Sequence, residues 1–342
     1  MRRLVLALTL CCSIGCGKEV AGMGGDDSPP ADAPVLQGDQ YSLTWGPVSV
    51  EPGVENTQCI WLRLGNTAEI KVHQLHNLLN DASHHLIVYK DDMDTTEQLT
   101  PVDCQPFTGA LNTTGMIAPI AITQRKDDMI FLPNRVAYTF APNQMVKIEM
   151  HYINATDATT DVQATVDFFA ADPSTIDHEA AILFTGSPDV DIAAGAMTTL
   201  HQFFTVPDYL DLSEAKIFAI TGHTHKLGTN VTVRVAPSMS GPMTDVYAPD
   251  PFNWDEPETT TFSEPFSIPA GGGLDFECSW NNTTNQAIGF GESANDEMCF
   301  FWAYYYPSQG SKVCIHTEQA GGHDLCCPGD SLCGLIEDQF GN

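Results

Sequence analysis

Apolar and polar residues alternate with a period of two in short runs along most of the chain. In Met145-Val146-Lys147-Ile148-Glu149-Met150-His151-Tyr152, the apolar Val146, Ile148, Met150 and Tyr152 share one face, and Asn230 to Val235 alternates the same way. Side chains of a strand point to its two faces in turn, so this period predicts half-buried strands. The runs His85 to Tyr89, Val162 to Phe169 and Lys216 to Ile220 are β-rich and bounded by Gly, Pro, Asn or Asp, which are strand limits. Helical periodicity is nearly absent; Val72 to Leu79 is expected to form a short turn of helix. Many short strands with polar turns predict an all-β fold of antiparallel sandwiches or barrels.

Organisation follows from where these runs stop. Asp172-Pro173-Ser174 follows one strand run, and Ala180-Ala181-Ile182-Leu183 begins another, so a domain boundary is expected near residues 172–180. That divides the chain into domains at 41–175 and 176–306, then a Gly- and Cys-rich tail at 307–342. No internal sequence repeat supports the division. At 342 residues, the chain is long enough for two domains with their own cores.

The start of the chain reads Met1-Arg2-Arg3, an apolar run from Leu4 to Leu10, then Cys11-Cys12-Ser13-Ile14-Gly15-Cys16. Two positive charges, a short apolar core and small residues before a cut describe a secretory signal over residues 1–15, too short to span a bilayer. Ser13-Ile14-Gly15-Cys16 resembles a bacterial lipobox, which makes Cys16 the lipidated first residue of a protein anchored in the cell envelope. Ordinary signal cleavage and secretion is the alternative. Residues 16–40, mostly Gly, Asp, Pro and Ala, bury too little apolar surface to offset ordering and read as a flexible tether.

Composition then narrows the function. The chain carries 14 Lys+Arg against 44 Asp+Glu, which argues against nucleic acid and against anionic lipid surfaces as partners. Membrane contact is expected through the lipid anchor alone. Without residues 1–15 and with Cys16 lipidated, eight cysteines remain: Cys59, Cys104, Cys278, Cys299, Cys314, Cys326, Cys327 and Cys333. An even number in an exported chain implies a disulfide framework, with 105 possible pairings.

The candidate chemistry lies in the histidines. His84 and His85 open a strand as neighbours; on a regular strand they face opposite sides, so sharing an ion needs a local bulge or mixed use of Nδ1 and Nε2. His151 lies on the polar face of its strand. In Gly222-His223-Thr224-His225, residues i and i+2 of a strand point the same way and can close on one ion. Imidazole sets suit Zn, Cu, Fe or Ni, although an isolated pair is more often a solvent-facing accident. His73, His76, His178, His201, His316 and His323 read as structural or surface residues; the spacing of His73 and His76 suits a helix face and leaves them as satellite ligands at most. Asp91-Asp92-Met93-Asp94 lacks the glycine and terminal glutamate of a calcium loop and reads as a polar turn.

Taken together and in order, His84-His85, His151, His223-Thr224-His225 and Asn295-Asp296-Glu297-Met298-Cys299 resemble the copper type II, ascorbate-dependent monooxygenases. That family includes peptidylglycine α-hydroxylating monooxygenase and dopamine β-monooxygenase. The resemblance runs from about residue 45 to 306. It implies two disulfide-stapled jelly-roll β-sandwich domains and two copper ions per chain. His84, His85 and His151 match the electron-supplying copper; His223, His225 and Met298 match the catalytic copper. It also implies the disulfides Cys59–Cys104 and Cys278–Cys299, leaving Cys314, Cys326, Cys327 and Cys333 as an addition with two further bridges.

The activity implied is hydroxylation of an sp³ C–H bond of a small organic substrate, with O2 and a one-electron reductant such as ascorbate, in a cleft between the domains. The soft thioether of Met298 favours Cu(I), whereas three imidazoles tolerate both oxidation states. Glu149, two residues before His151, is a candidate for orienting a ligand. Where the peptide-hydroxylating members place a carboxylate-binding arginine, this chain has Thr221. Phe300, Phe301, Trp302 and Ala303 follow Met298-Cys299 where those enzymes place polar contacts, so an apolar or aromatic substrate is expected in place of a glycine-extended peptide. A non-catalytic copper-binding envelope lipoprotein is the alternative function; a metal-free adhesion or carbohydrate-binding sandwich is a third. Asn112, Asn154 and Asn230 sit in glycosylation sequons to which a bacterial-type lipoprotein gives no role.

Overall fold

The computed structural model describes residues 39–106, 116–318, 321–330 and 333. The leader at 1–15, Cys16, Asn112 and all but the last two residues of the 16–40 tether lie outside the described residues. What is described is almost wholly β. The first half contains β1 (Gln40–Val50), β2 (Glu55–Arg63), β3 (Ile70–Leu79), β4 (Ser83–Asp91), β5 (Gln98–Asp103), β6 (Ile117–Thr123), β7 (Asp127–Phe131), β8 (Val136–Phe140), β9 (Met145–Ile153) and β10 (Thr160–Ala171). A 3₁₀ turn at Pro173–Thr175, capped by the Asp172 side chain, and the short β11 (His178–Glu179) lead onward.

The second half contains β12 (Ala181–Ser187), β13 (Asp191–Ile192), β14 (Met197–Thr205), β15 (Lys216–His223), β16 (Gly228–Ala236), β17 (Thr244–Tyr247), β18 (Thr259–Phe266), β19 (Gly273–Asn281), β20 (Ile288–Gly289), β21 (Cys299–Tyr306), β22 (Lys312–Thr317) and β23 (His323–Cys327). One sheet of the first half runs β1-β10-β3-β8-β11, and the other β5-β2-β9-β4-β6. The second half repeats the plan, with β18-β15-β21-β12-β22-β23 facing β14-β19-β16-β17. Strand for strand, β1-β10-β3-β8 corresponds to β12-β21-β15-β18, and β2-β9-β4-β6 to β14-β19-β16-β17. This repeated order is consistent with the jelly rolls the resemblance implies, and no sequence repeat announces it.

The correspondence reaches side-chain detail. After β9, Asn154 donates to Val50 O and Ala158 O while its Oδ1 accepts from Thr156 N and Oγ1. After β19, Asn282 donates to Ala193 O and Gln286 O and accepts from Thr284 in the same way. Both amides are buried and fully engaged in turn formation, so these sequons are structural.

The turn of helix expected at Val72 to Leu79 is instead part of β3. Its register against β10 shifts between Phe169 and Ala170, opposite Gln74 and Val72. This bulge lets Val72 and Leu75, three residues apart, both enter the core, an apolar spacing that imitates a helix.

The sheet containing β21 is buried on both faces. Ile182, Phe184, Phe218, Phe300, Trp302 and Tyr304 join a core continuous with that of the first half. Their neighbours Ala181, Leu183, Ile217, Phe301, Ala303 and Tyr305 fill the second half's own core. Cross-links accompany this layer: Tyr304 OH accepts from Ile122 N at 3.2 Å, and Ser311 Oγ donates to Pro119 O at 3.1 Å. A large apolar interface of this kind fixes two halves relative to each other.

Four disulfides close the framework: Cys59–Cys104, Cys278–Cys299, Cys314–Cys326 and Cys327–Cys333. The second joins β19 to β21, and so staples the two sheets of the second half. The third links opposed residues of β22 and β23, which extend a sheet of the second half.

Candidate metal centre

The first cluster is assembled by a bulge. β4 pairs Ser83 with Tyr152 and then His85 with His151, leaving His84 as the extra residue. The extra residue turns His84 toward the side occupied by His85. Ring centroids stand 5.5 Å apart for His84 and His85, 5.1 Å for His84 and His151, and 4.9 Å for His85 and His151. One ligand nitrogen from each lies within 4.8 Å of the others. The Nδ1 atoms of His84 and His85 are 3.3 Å apart, about the separation of two nitrogens bonded at ~2.0 Å to one tetrahedral ion.

The second cluster is built where β15 ends. Gly222 precedes His223, and a Cβ there would lie 2.6 Å from both Tyr247 Cε1 and Val231 Cγ1, so only glycine lets the strand run this close. His225 is not on the strand, as its spacing from His223 implied, but in the turn that follows. The buried Glu297 carboxylate fixes that turn, accepting from His225 N at 2.9 Å, Leu227 N at 2.7 Å and Trp280 Nε1 at 2.8 Å. The two rings are 5.1 Å apart and nearly perpendicular. Met298 is buried in the core that also contains Phe184, Phe300 and Trp302; it lies between Glu297 and the disulfide-bonded Cys299.

Hydrogen bonds set the imidazole tautomers. His223 Nδ1 donates to Gln124 Oε1 at 2.8 Å and His225 Nδ1 to Asp296 O at 3.1 Å, because a carboxamide or carbonyl oxygen only accepts. Each then presents an unprotonated Nε2, and both Nε2 atoms are buried without a hydrogen-bond partner. Buried lone pairs without donors are costly, and two imidazole nitrogens of this kind are a donor set that could hold a metal ion. In the first cluster, His151 Nε2 bonds Glu55 Oε1 at 3.0 Å, leaving Nδ1 for the cluster. Outer carboxylates of this kind orient metal-bound imidazoles.

The carboxylate bonded to His151 Nε2 is that of Glu55. Glu149 accepts from Tyr89 OH at 3.0 Å and Lys147 Nζ at 3.4 Å. The face that carries Lys147, Glu149 and His151 is not solvated: all three are buried. Nothing near His151 in sequence identifies Glu55, which lies 96 residues away. Gln124 is likewise invisible without the fold. His73 and His76 do not serve as ligands of either cluster. His73 Nδ1 bonds Val136 O at 2.9 Å, and His76 Nε2 bonds Asp127 Oδ1 at 2.8 Å.

Charge agrees with ligation. Burial pushes His84, His85 and His223 well below the usual imidazole range, reinforced by neighbouring imidazoles. Burial also lowers His225, to about 4. These rings are neutral at physiological pH, the form that binds metal. The bond from His151 holds Glu55 down at about 2.

The two clusters touch. His84 and His225 ring centroids are 5.8 Å apart, and those of His85 and His223 are 6.4 Å apart. The expected cleft between the halves is therefore a packed seam. It contains a small recess lined by His85, Ile122, Gln124, Phe184, His223 and Trp302, with roughly the room of one water molecule. Of the residues after Cys299, Trp302 faces the recess and Phe300 stacks on Phe184 at 5.0 Å; Phe301 and Ala303 point into the opposite core. Thr221 bonds Thr259 Oγ1 at 2.7 Å, and no arginine or lysine lines the recess.

Residues 180–322 match the sequence model of the copper type II ascorbate-dependent monooxygenase, C-terminal domain. The family resemblance read from the motifs thus holds over a stretch containing His223, His225 and Met298. Among solved structures, a protein of Eubacterium rectale described as secreted shares 8% identity at a TM-score of 0.19, over 79% of this chain and 69% of that one. The infectious bursal disease virus VP2 subviral particle shares 9% at 0.21, over 82% and 75%. Vicilin from Solanum melongena shares 6% at 0.18, over 88% and 82%. Likenesses this weak carry no argument.

Proposed function

We propose that the protein is a copper-dependent monooxygenase that hydroxylates an sp³ C–H bond of a small organic substrate, using O2 and a one-electron reductant such as ascorbate. The observation that carries the reading is five buried imidazoles in mutual contact, two of them within the stretch that matches the family. Copper bound there supplies one-electron redox chemistry and the reduction of O2.

The chain's own residues supply the rest. His84, His85 and His151 would hold one ion through nitrogen alone, a set suited to both oxidation states. His223 and His225 would hold the second with the Met298 thioether, which favours Cu(I). Gln124 and Asp296 keep the protons of His223 and His225 on Nδ1. Ile122, Phe184 and Trp302 offer apolar contact beside His85 and His223, so the reading favours a small apolar or aromatic substrate over a peptide carboxylate. Residues 41–175 and 176–306 serve as the two copper domains, followed by the 307–342 tail. Cys16 would anchor the protein in a bacterial cell envelope.

The test is metal analysis after copper reconstitution, then oxygen uptake with ascorbate across a panel of small apolar and aromatic compounds. Two coppers per chain and substrate-dependent uptake are expected, with Met298→Ala losing hydroxylation while keeping its fold. Copper uptake with no substrate-dependent oxygen consumption would make the chain a metal-binding envelope lipoprotein. Absence of any metal uptake would end both readings.

A further inference from the structure

We infer that each half of the molecule positions the imidazoles of the other, so that neither set is correctly formed by its own half. The inference rests on reading the five histidines as metal ligands, and it is carried by hydrogen bonds that cross between the halves. Gln124 follows β6 in the first half and is 2% exposed. Its Oε1 accepts from His223 Nδ1 of the second half at 2.8 Å, and its Nε2 donates to Trp254 O, also of the second half, at 3.4 Å. The Trp254 carbonyl accepts only, which settles which end of the amide is nitrogen. The oxygen must then face His223, and the His223 proton must sit on Nδ1.

The reverse brace runs through Glu55. Its carboxylate takes His151 Nε2 at 3.0 Å from its own half, and Ser293 Oγ at 3.0 Å and Ala294 N at 2.7 Å from the other. Two residues further along, Asp296 O accepts from His225 Nδ1. The segment 293–296 therefore ties a first-cluster histidine to a second-cluster histidine through one carboxylate and four residues of backbone. Gln124 and Glu55 are positioning residues: they act on nitrogens turned away from the clusters.

The test uses the full chain with Gln124→Leu, Gln124→Glu and Glu55→Ala. ¹⁵N NMR of the metal-free protein reads each histidine tautomer, and EPR titration with Cu(II) reads affinity at each set. Gln124→Leu is expected to abolish the fixed Nδ1–H tautomer of His223. It should also weaken copper at the His223/His225 set roughly 10- to 100-fold, leaving the three-histidine set unchanged. Gln124→Glu keeps an acceptor oxygen and should restore both readings. Glu55→Ala should shift the resonances of His225 as well as those of His151.

A Gln124→Leu protein that keeps the His223 tautomer and wild-type affinity overturns the inference, as does one altered only at His84, His85 and His151. If Gln124→Leu does not fold, Gln124→Asn, which withdraws the oxygen by one methylene, is read in the same way. A fixed wild-type His223 tautomer, lost in the Gln124 variant, in a chain that takes up no copper would sink the proposed function and leave the brace standing.

Discussion

The ring of His84, on the first half's β4, meets the ring of His225, on the second half's turn, edge to face at 5.8 Å. The electron-supplying and catalytic sets implied by the family resemblance are thus neighbours, with no solvent gap between these two rings. Two cupric ions held by these sets should interact magnetically. The EPR spectrum of the fully loaded protein is expected to be broadened and reduced relative to the sum of singly loaded His151→Ala and His223→Ala variants. A spectrum equal to that sum would show independent sites.

The buried imidazoles set the acid limit of the metal-free protein. His84, His85, His223 and His225 bind protons less readily folded than unfolded. Below the unfolded value of 6.5 the unfolded chain takes up more protons, so stability is full above pH 6.5 and falls as pH drops toward 4. Denaturant midpoints of apo-protein between pH 7.5 and 4.5 should show this decline. His223→Gln should flatten it.

Glu292 behaves in the opposite sense. Both its carboxyl oxygens are buried without a partner, and burial together with Glu149 raises it to about 8. An acid raised this way is fully tolerated below the unfolded value of 4.5, and stability declines as pH rises from there to about 8. Glu292→Gln should therefore be near neutral at pH 4.5 and stabilising by on the order of 1–3 kcal/mol at pH 8. Equal melting temperatures of variant and wild type at pH 8 would contradict this.

Gly222 tests the packing behind His223. A Cβ at this position lies 2.6 Å from Tyr247 and Val231, and overpacking of this kind costs about 1–3 kcal/mol. Gly222→Ala should lower the melting temperature and weaken copper binding at the second set. Adding Val231→Ala should recover part of both.

Under the proposed function, an organic substrate enters only where the side chains bounding the recess give way, since the recess itself has roughly the room of one water molecule. Phe184 and Trp302 line it and stack with 6.5 Å between ring centroids. Trp302→Ala should raise KM for small apolar substrates and admit bulkier ones, with the three-histidine EPR signal unchanged. A substrate profile identical to wild type would remove Trp302 from the recess lining.

The strands were legible from local pattern: Met145–Ile153, which carries His151, and Gly228–Ala236 lie where period-two runs place them, and Ser83–Asp91 and Lys216–His223, which carry His84, His85 and His223, lie where β-rich runs do. The residue order around His84-His85, His151 and His223-Thr224-His225 carried the family resemblance, and the even cysteine count carried a disulfide framework. β3 was misread because a bulge near His73 gives its core residues a helical spacing.

What the linear order could not contain is whatever depends on two distant segments meeting. The bulge that turns His84 beside His85 exists only as a mismatch between β4 and β9. Glu55 and Gln124 became partners of His151 and His223 only when segments 96 and 99 residues apart were brought together. The sequence by itself determined the β class, the histidine identities and the cysteine framework, because periodicity and composition are local properties. The tertiary structure alone decided that both imidazole sets meet in one seam, because a sheet buried on two faces must pack against both halves at once.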